Sequence, residues 1–271
     1  MVLTSVKIIK ELLSQHGARA SKGLGQNFLI DKNVLEKIVT AADLKPSDGV
    51  LEIGPGIGTL TQELAKKAKR VVAVEKDRKM CEILQKTLEG YKNVEVVDED
   101  ILKTNLSSLK DYKIVANLPY YITSPVIRKF LEANNPPELM VLMVQKEVGQ
   151  RICAKPPRMS LLAVSVQFYA DVKIISYVSK NCFWPSPKVD SAIIKITPRK
   201  DSLRVNPELF FKVVKAGFSQ PRKQIIGNLT KKLELDKNIV LGILVKCGIQ
   251  PEQRAESLSI DDWIKLSKFY G

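Results

Sequence analysis

Histidine is almost absent: His16 is the only one in 271 residues. A mechanism that needs two histidines is excluded, and a metal site built on imidazoles is not expected. A histidine-dependent triad could use only His16, and the residues around it offer no supporting context. No Gly-x-x-x-x-Gly-Lys-Ser/Thr stretch occurs, so nucleotide hydrolysis on a P-loop is unsupported. Cys81, Cys153, Cys182 and Cys247 include no close pair and read as reduced, mostly buried thiols of a cytosolic protein. No apolar run approaches the length of a membrane span. Residues 1–17 set Val6, Ile9, Leu12 and Leu13 at helical spacing, broken by Lys7, Lys10 and Glu11. That pattern is an amphipathic helix, not a secretory signal, and the lack of Arg with the presence of Glu11 fits a mitochondrial presequence poorly. Acid is also in short supply: 29 Asp and Glu face 43 Lys and Arg, a formal net charge of +14. Such a balance points to a polyanionic partner, nucleic acid first and an anionic membrane surface second. The composition is otherwise that of a globular chain, long enough for one large α/β domain and a smaller companion.

The stretch that organises the rest is Val115 to Pro125, Val-Ala-Asn-Leu-Pro-Tyr-Tyr-Ile-Thr-Ser-Pro. Residues 113–116 read as a buried strand, and Asn117 falls where it ends. Pro119 cannot continue a sheet interior and biases Leu118 away from the α region. An amide, the Leu118 carbonyl and the Tyr120 ring are thereby held on one stiff turn. Ligands of open α/β sheets bind beyond the carboxyl ends of the strands. There the Asn117 oxygen and the Leu118 carbonyl could accept both hydrogens of an exocyclic amine while Tyr120 stacks on the base. The plainer alternative is a strand-ending turn with a core tyrosine.

The flanking segments favour a ligand site. Residues 22–29, Lys-Gly-Leu-Gly-Gln-Asn-Phe-Leu, form a basic loop punctuated by glycine, and Asp31 is a suitable N-cap for a helix carrying Val34, Leu35, Ile38, Val39 and Ala42. A strand over 50–53 leads through Gly54-Pro-Gly56-Ile-Gly58 into a helix over 59–69, an arrangement that brings backbone close to a ligand. The spacing is not that of the dinucleotide fingerprint. Glu52 beside it would repel a pyrophosphate and suits a cationic ligand. A second strand ends at Glu75, roughly 20 residues on, the interval for a carboxylate that binds ribose hydroxyls. A helix over 76–88 and a third strand over 94–97 lead to Asp100, placed to accept from an adenine amino group. Neighbouring strands thus end in glycines, Glu75, Asp100 and Asn117, a pattern that packing alone explains poorly.

A fifth strand is expected over 139–144, two more over 161–168 and 172–178, and another over 191–196. Before the last lies Asn181-Cys-Phe-Trp-Pro-Ser-Pro-Lys188, where Phe183 and Trp184 beside two prolines offer a stacking platform for a flipped base or, equally, a cap on a core. Residues 199–271 carry helical periodicity, clearest over 209–218 and 258–269. Over 204–232, Arg204, Lys212, Lys215, Arg222, Lys223, Lys231 and Lys232 stand against the single acid Glu208, charge suited to phosphates.

In combination, these motifs resemble the ribosomal RNA adenine dimethyltransferases, and the match covers nearly the whole length. Gly25 to Leu29, Glu52 to Thr61, Glu75, Asp100, Asn117 to Tyr120, Phe183 to Asp190 and the ending from Arg254 to Lys265 are similar to that family's motifs in order. The resemblance implies a Rossmann-like α/β methyltransferase fold over residues 1–198 and a small all-helical, RNA-contacting domain over 199–271. It implies S-adenosyl-L-methionine as cofactor, held by Asn27, Leu29, Gly54, Gly56, Glu75, Asp100 and Asn117. It implies target-base contacts from Asn117, Leu118, Tyr120 and Phe183, with no metal. The activity implied is N6,N6-dimethylation of two adjacent adenosines of small-subunit ribosomal RNA in an immature particle, by a cytoplasmic monomer without membrane contact. Two alternatives share the fold: an erythromycin-resistance methyltransferase acting on large-subunit RNA, and a non-catalytic assembly factor. Pro221 departs from the family by interrupting a basic run after Phe-Ser-Gln, which bears on RNA docking and not on the chemistry.

Overall fold

The computed structural model describes residues 2–21, 23–105, 109–199 and 205–270. Lys22, Lys200 and Arg204 therefore lie outside the described residues. The chain divides into two compact units, Met1–Gly149 with Lys173–Pro198, and Gln150–Val172 with Arg199–Gly271.

In the first unit, α1 (Val6–Gln15) is followed by β1 (Phe28–Leu29), α2 (Lys32–Ala42), β2 (Gly49–Ile53), α3 (Thr59–Ala65), β3 (Arg70–Glu75), α4 (Arg78–Thr87) and β4 (Val94–Asp98). Then come β5 (Tyr112–Asn117), α5 (Thr123–Leu131), β6 (Leu139–Gln145) and α6 (Lys146–Ile152). After α7 (Leu161–Tyr169), β7 (Ala170–Val178) leads back to β8 (Phe183–Trp184) and β9 (Ser191–Pro198). The main sheet has the order β4-β3-β2-β5-β6-β9-β7, with β4 to β6 parallel and β9 antiparallel to β6. The chain winds outward from β2 through β3 to β4, then crosses to β5 on the other side of β2. The strand order therefore reverses between β2 and β5, where a doubly wound sheet opens its ligand crevice.

Local chemistry accounts for the elements. β5 and β6 are almost wholly buried, which a strand covered by helices on both faces requires. Asp31 caps α2 by accepting from the amides of Asn33 and Val34, an interaction worth about 1 kcal/mol. The amphipathic N-terminal stripe is core packing: Ile9, Leu12 and Leu13 of α1 cluster with Met80 and Ile83 of α4 and with Phe28. His16 sits past the end of α1, its Nδ1 against the Leu12 carbonyl at 2.9 Å.

The second unit adds α8 (Pro207–Gly217), α9 (Ile225–Leu233), α10 (Lys237–Cys247) and α11 (Ile260–Ser267). Its core gathers Phe210, Val213, Val214, Leu229, Leu244, Trp263 and Leu266. Here two expectations need correction. Residues 161–168 form a helix, not a strand: Ser160 caps it through the Ala163 amide, and Ala163, Val164 and Phe168 enter the helical core. A short apolar run is ambiguous by periodicity, and tertiary burial decided it. For the same reason the helical unit takes in Gln150–Val172 as well as the residues after 198, so its boundary is not the single cut expected at 198/199.

Candidate cofactor and target-base site

A cavity opens at the carboxyl ends of β2, β3 and β5. Asn27, Leu29, Gly54, Gly56, Glu75, Asp100, Asn117, Leu118 and Tyr120 all line it, together with Glu52. Gly54 and Gly56 hold the loop after β2 in left-handed backbone, at φ +66° and +62°. A Cβ on Gly56 would stand 3.2 Å from the Phe28 ring, so only glycine fits between that ring and the cavity without displacing it.

Glu75 is fixed by three backbone amides. Its Oε2 accepts from Gly56 at 3.0 Å, and its Oε1 from Lys76 and Asp77 at 2.9 Å each. Burial nevertheless raises its pKa, against the opposing pull of those amides. The arrangement aims a pre-set acceptor at the cavity and leaves lone pairs for hydroxyl donors. Asp100 receives the Lys76 ammonium at 2.7 Å on Oδ2 and the Leu102 amide at 3.0 Å on Oδ1. Lys76 holds its carboxyl below the usual range, so it stays an acceptor.

Glu52 is the outlier. It is 1 % exposed, and its Oε2 has no hydrogen-bond partner. Burial, reinforced by the Glu75 charge, pushes its pKa up to about 8. A buried acid with one oxygen unpartnered, in the wall of a cavity, fits a ligand that brings positive charge. The sulfonium and ammonium groups of S-adenosyl-L-methionine meet that requirement; a pyrophosphate does not.

On the other side of the strand-order reversal, the Asn117 Nδ2 donates to the Asn27 carbonyl at 3.1 Å. That bond turns one end of the amide toward the N-terminal loop and leaves its oxygen for a donor. The loop itself is seated on the turn: a Cβ on Gly25, at φ +65°, would stand 3.4 Å from the Pro119 Cβ. Gln26 ties the same loop to Asp77, donating to Oδ2 at 2.7 Å. The Tyr120 hydroxyl meets Ser191 Oγ at 2.8 Å.

Phe183 is the site residue that the structure does not bring to the cavity. It is 3 % exposed and packs in the core with Leu29, Val178 and Ile193. Its place is fixed by antiparallel pairing of β1 with β8, Leu29 opposite Phe183. Trp184 stacks on Phe28 with ring centroids 6.5 Å apart, and Lys10 lies over its ring. Sequence reasoning missed Gln26, Lys76 and Ser191, whose contacts span long sequence separations that no local pattern signals. Among the described residues, no cluster of His, Cys, Asp and Glu could hold a metal ion, and no helix is long and apolar enough to cross a membrane.

In the second unit, a separate cavity is lined by Arg222, Lys223, Lys231, Lys237 and Arg254 with Glu252 as its acid. Lys212, Lys215 and Lys232 are exposed on the same unit.

A sheet of this order, with a buried acid at a strand end on one side of its reversal and an amide–proline–tyrosine turn on the other, is that of an S-adenosyl-L-methionine-dependent methyltransferase. The family model described as "Ribosomal RNA adenine dimethylase" matches residues 17–271, and the chain belongs to that family. It is 47 % identical over 267 residues to the ribosomal RNA small subunit methyltransferase A of Dehalococcoides mccartyi, covering 96 % of this chain and 92 % of the relative. Its identity to the protein of the same name from Bacillus thuringiensis is 43 %, over 95 % of this chain and 94 % of the relative. Among solved structures, a dimethyladenosine transferase from Plasmodium falciparum superposes with a TM-score of 0.78 at 30 % identity, covering 88 % of this chain and 95 % of that one. The 23S rRNA methyltransferase ErmE superposes with a TM-score of 0.77 at 29 % identity, covering 89 % and 98 %. The chain is thus an S-adenosyl-L-methionine-dependent rRNA adenine dimethyltransferase.

Proposed function

We propose that this chain dimethylates N6 of two adjacent adenosines near the 3′ end of small-subunit ribosomal RNA, acting as a cytoplasmic monomer on an incompletely assembled particle. One observation carries the reading: the amide–carbonyl–aromatic turn at Asn117 to Tyr120 opens into the same cavity as Glu75, Asp100 and the glycine loop. The 41–47 % identity to small-subunit methyltransferases favours that RNA over the large-subunit target of the ErmE type, at 29 %.

When bound, S-adenosyl-L-methionine supplies an electrophilic methyl group. Glu75 would hold the ribose hydroxyls, Asp100 the adenine amino group, and Asn27, Leu29, Gly54 and Gly56 the surrounding walls. N6 of adenine is a weak nucleophile because its lone pair is delocalised into the ring. Asn117 Oδ1 and the Leu118 carbonyl would accept its hydrogens and favour a more tetrahedral nitrogen. These fixed dipoles stabilise the positive charge that develops on N6 in the transition state. Tyr120 would stack on the flipped base, and holding N6 in line at near-contact distance supplies much of the remaining rate. No general base is required before transfer, because the proton can leave to water afterwards. The exposed cations of the second unit would take phosphates, since a basic surface reads RNA by shape and backbone while only unpaired bases can be splayed into a pocket. Replacing Asn117 tests the role assignment. Asn117→Ala should lower turnover roughly 10²–10³-fold with a smaller change in cofactor affinity, as loss of one transition-state hydrogen-bond partner does. Turnover within a few-fold of wild type would remove Asn117 from the mechanism.

A further inference from the structure

The segment that begins with Phe183 and Trp184 leads into a residue that touches the Asn117–Tyr120 turn. Ser191, the first residue of β9, is 0 % exposed. It lies opposite Gln145 at the end of β6, and the preceding residue is fixed on both sides: the Asp190 carbonyl accepts from the Lys146 amide at 2.9 Å, and Asp190 Oδ1 from the Lys180 amide at 3.1 Å. A hydroxyl buried this completely requires a partner. The partner is the phenol of Tyr120, 2.8 Å away and 71 residues distant in sequence.

We infer that Ser191 is a positioning residue for base capture: it pins the far end of the Tyr120 side chain and so sets the tilt of the ring on which the target base stacks. The inference rests on the role proposed for Tyr120. The backbone at Tyr120 is already held, because the Ile122 amide donates to the Pro119 carbonyl at 3.1 Å. What that leaves free is rotation of the ring about its own bonds. A ring tethered at Cβ and at Oη has lost that freedom before the base arrives, and the ordering cost no longer falls on binding. The same bond gives the Phe183–Asp190 stretch a task at the active site. Phe183 anchors β8 to β1 inside the core, Asp190 is fixed to α6 and to Lys180, and Ser191 is thereby set at a defined distance from Tyr120. The stretch then serves the base through Ser191 and not through an aromatic face.

A double-mutant cycle tests the inference. Ser191→Ala and Tyr120→Phe remove the same hydrogen bond from opposite ends, and Phe keeps the stacking face. Single-turnover methyl transfer at saturating cofactor, with RNA concentration varied, should show each single variant about two- to tenfold lower in transfer efficiency, the range for one neutral hydrogen bond. The double variant should be no worse than either single variant, because the two changes act on one bond. S-adenosylhomocysteine affinity by calorimetry should stay at the wild-type value in all three. Multiplicative losses in the double variant, equal loss of cofactor affinity, or a wild-type rate for Ser191→Ala would each overturn the inference. Tyr120→Ala separates this from the reading beneath it. If Tyr120→Ala transfers at the wild-type rate, the base platform itself is wrong. If Tyr120→Ala fails while Ser191→Ala does not, only the role of Ser191 falls.

Discussion

Glu52→Gln changes one atom of the cavity wall and removes a carboxyl whose pKa is pushed up to about 8. In the cofactor-free protein, burial lifts the Glu52 carboxyl from 4.5 to about 8, with Glu75 adding to the shift. The folded state therefore binds a proton that the unfolded chain has released, across the interval between those two values. Stability rises with pH only where the unfolded state binds more protons. Here the native state binds more, so the Glu52 contribution to stability is lost as pH rises from about 5 toward 8. The slope is about 1.4 kcal/mol per pH unit, and over the whole interval the cost is on the order of 5 kcal/mol. Glutamine carries no such proton, so the wild-type stability minus that of Glu52→Gln should fall steadily through this window. Below pH 4.5 the difference should be flat. Hydrogen exchange of the β2 and β5 amides, corrected for its intrinsic pH dependence, reads the first unit directly. Parallel pH profiles for the two proteins would refute the reasoning. A second readout concerns the ligand. A cationic donor favours the ionised carboxyl, so its binding near pH 7 should release a fraction of a proton from the wild type and less from Glu52→Gln. Calorimetry in two buffers of different ionisation enthalpy measures that release, and identical release from both proteins would separate Glu52 from the donor.

Phe183→Ala should behave as a core truncation, costing about 3–5 kcal/mol of stability while activity per folded molecule falls no further than in Ser191→Ala; loss of base capture at unchanged melting temperature would instead place the ring on the base. RNA affinity should fall steeply with salt, because each phosphate neutralised by Lys or Arg releases counterions. Reversing the charge at Lys212, Lys215, Arg222 and Lys223 should flatten that dependence, and an unchanged salt slope would move the footprint elsewhere.

The parallel strands and the residues at their carboxyl ends were legible because each is a local pattern: a short apolar run followed by glycine, acid or amide. Asn117, Glu75 and Asp100 all lie where that pattern placed them, around one cavity. Residues 161–168 were not legible, since an eight-residue apolar run suits a buried strand and a buried helix alike, and the choice was made by the helical core around Phe210 and Trp263. For Phe183 the sequence left a stacking platform and a core cap equally open, and its burial decides for the core. That burial depends on a two-residue pairing with Leu29, across more than half the chain, that leaves no periodic trace. Glu52 could be read as suited to a cation, but not as a proton carrier, because its shift arises from complete burial that only the folded chain creates.

The central claim is tested most directly by supplying the protein and labelled S-adenosyl-L-methionine with unmethylated small and large ribosomal subunits in separate reactions, then mapping the products by mass spectrometry. The account predicts N6,N6-dimethyladenosine at two adjacent positions near the 3′ end of the small-subunit RNA, none in the large subunit, and almost none with Asn117→Ala. Dimethyladenosine confined to the large subunit would contradict it.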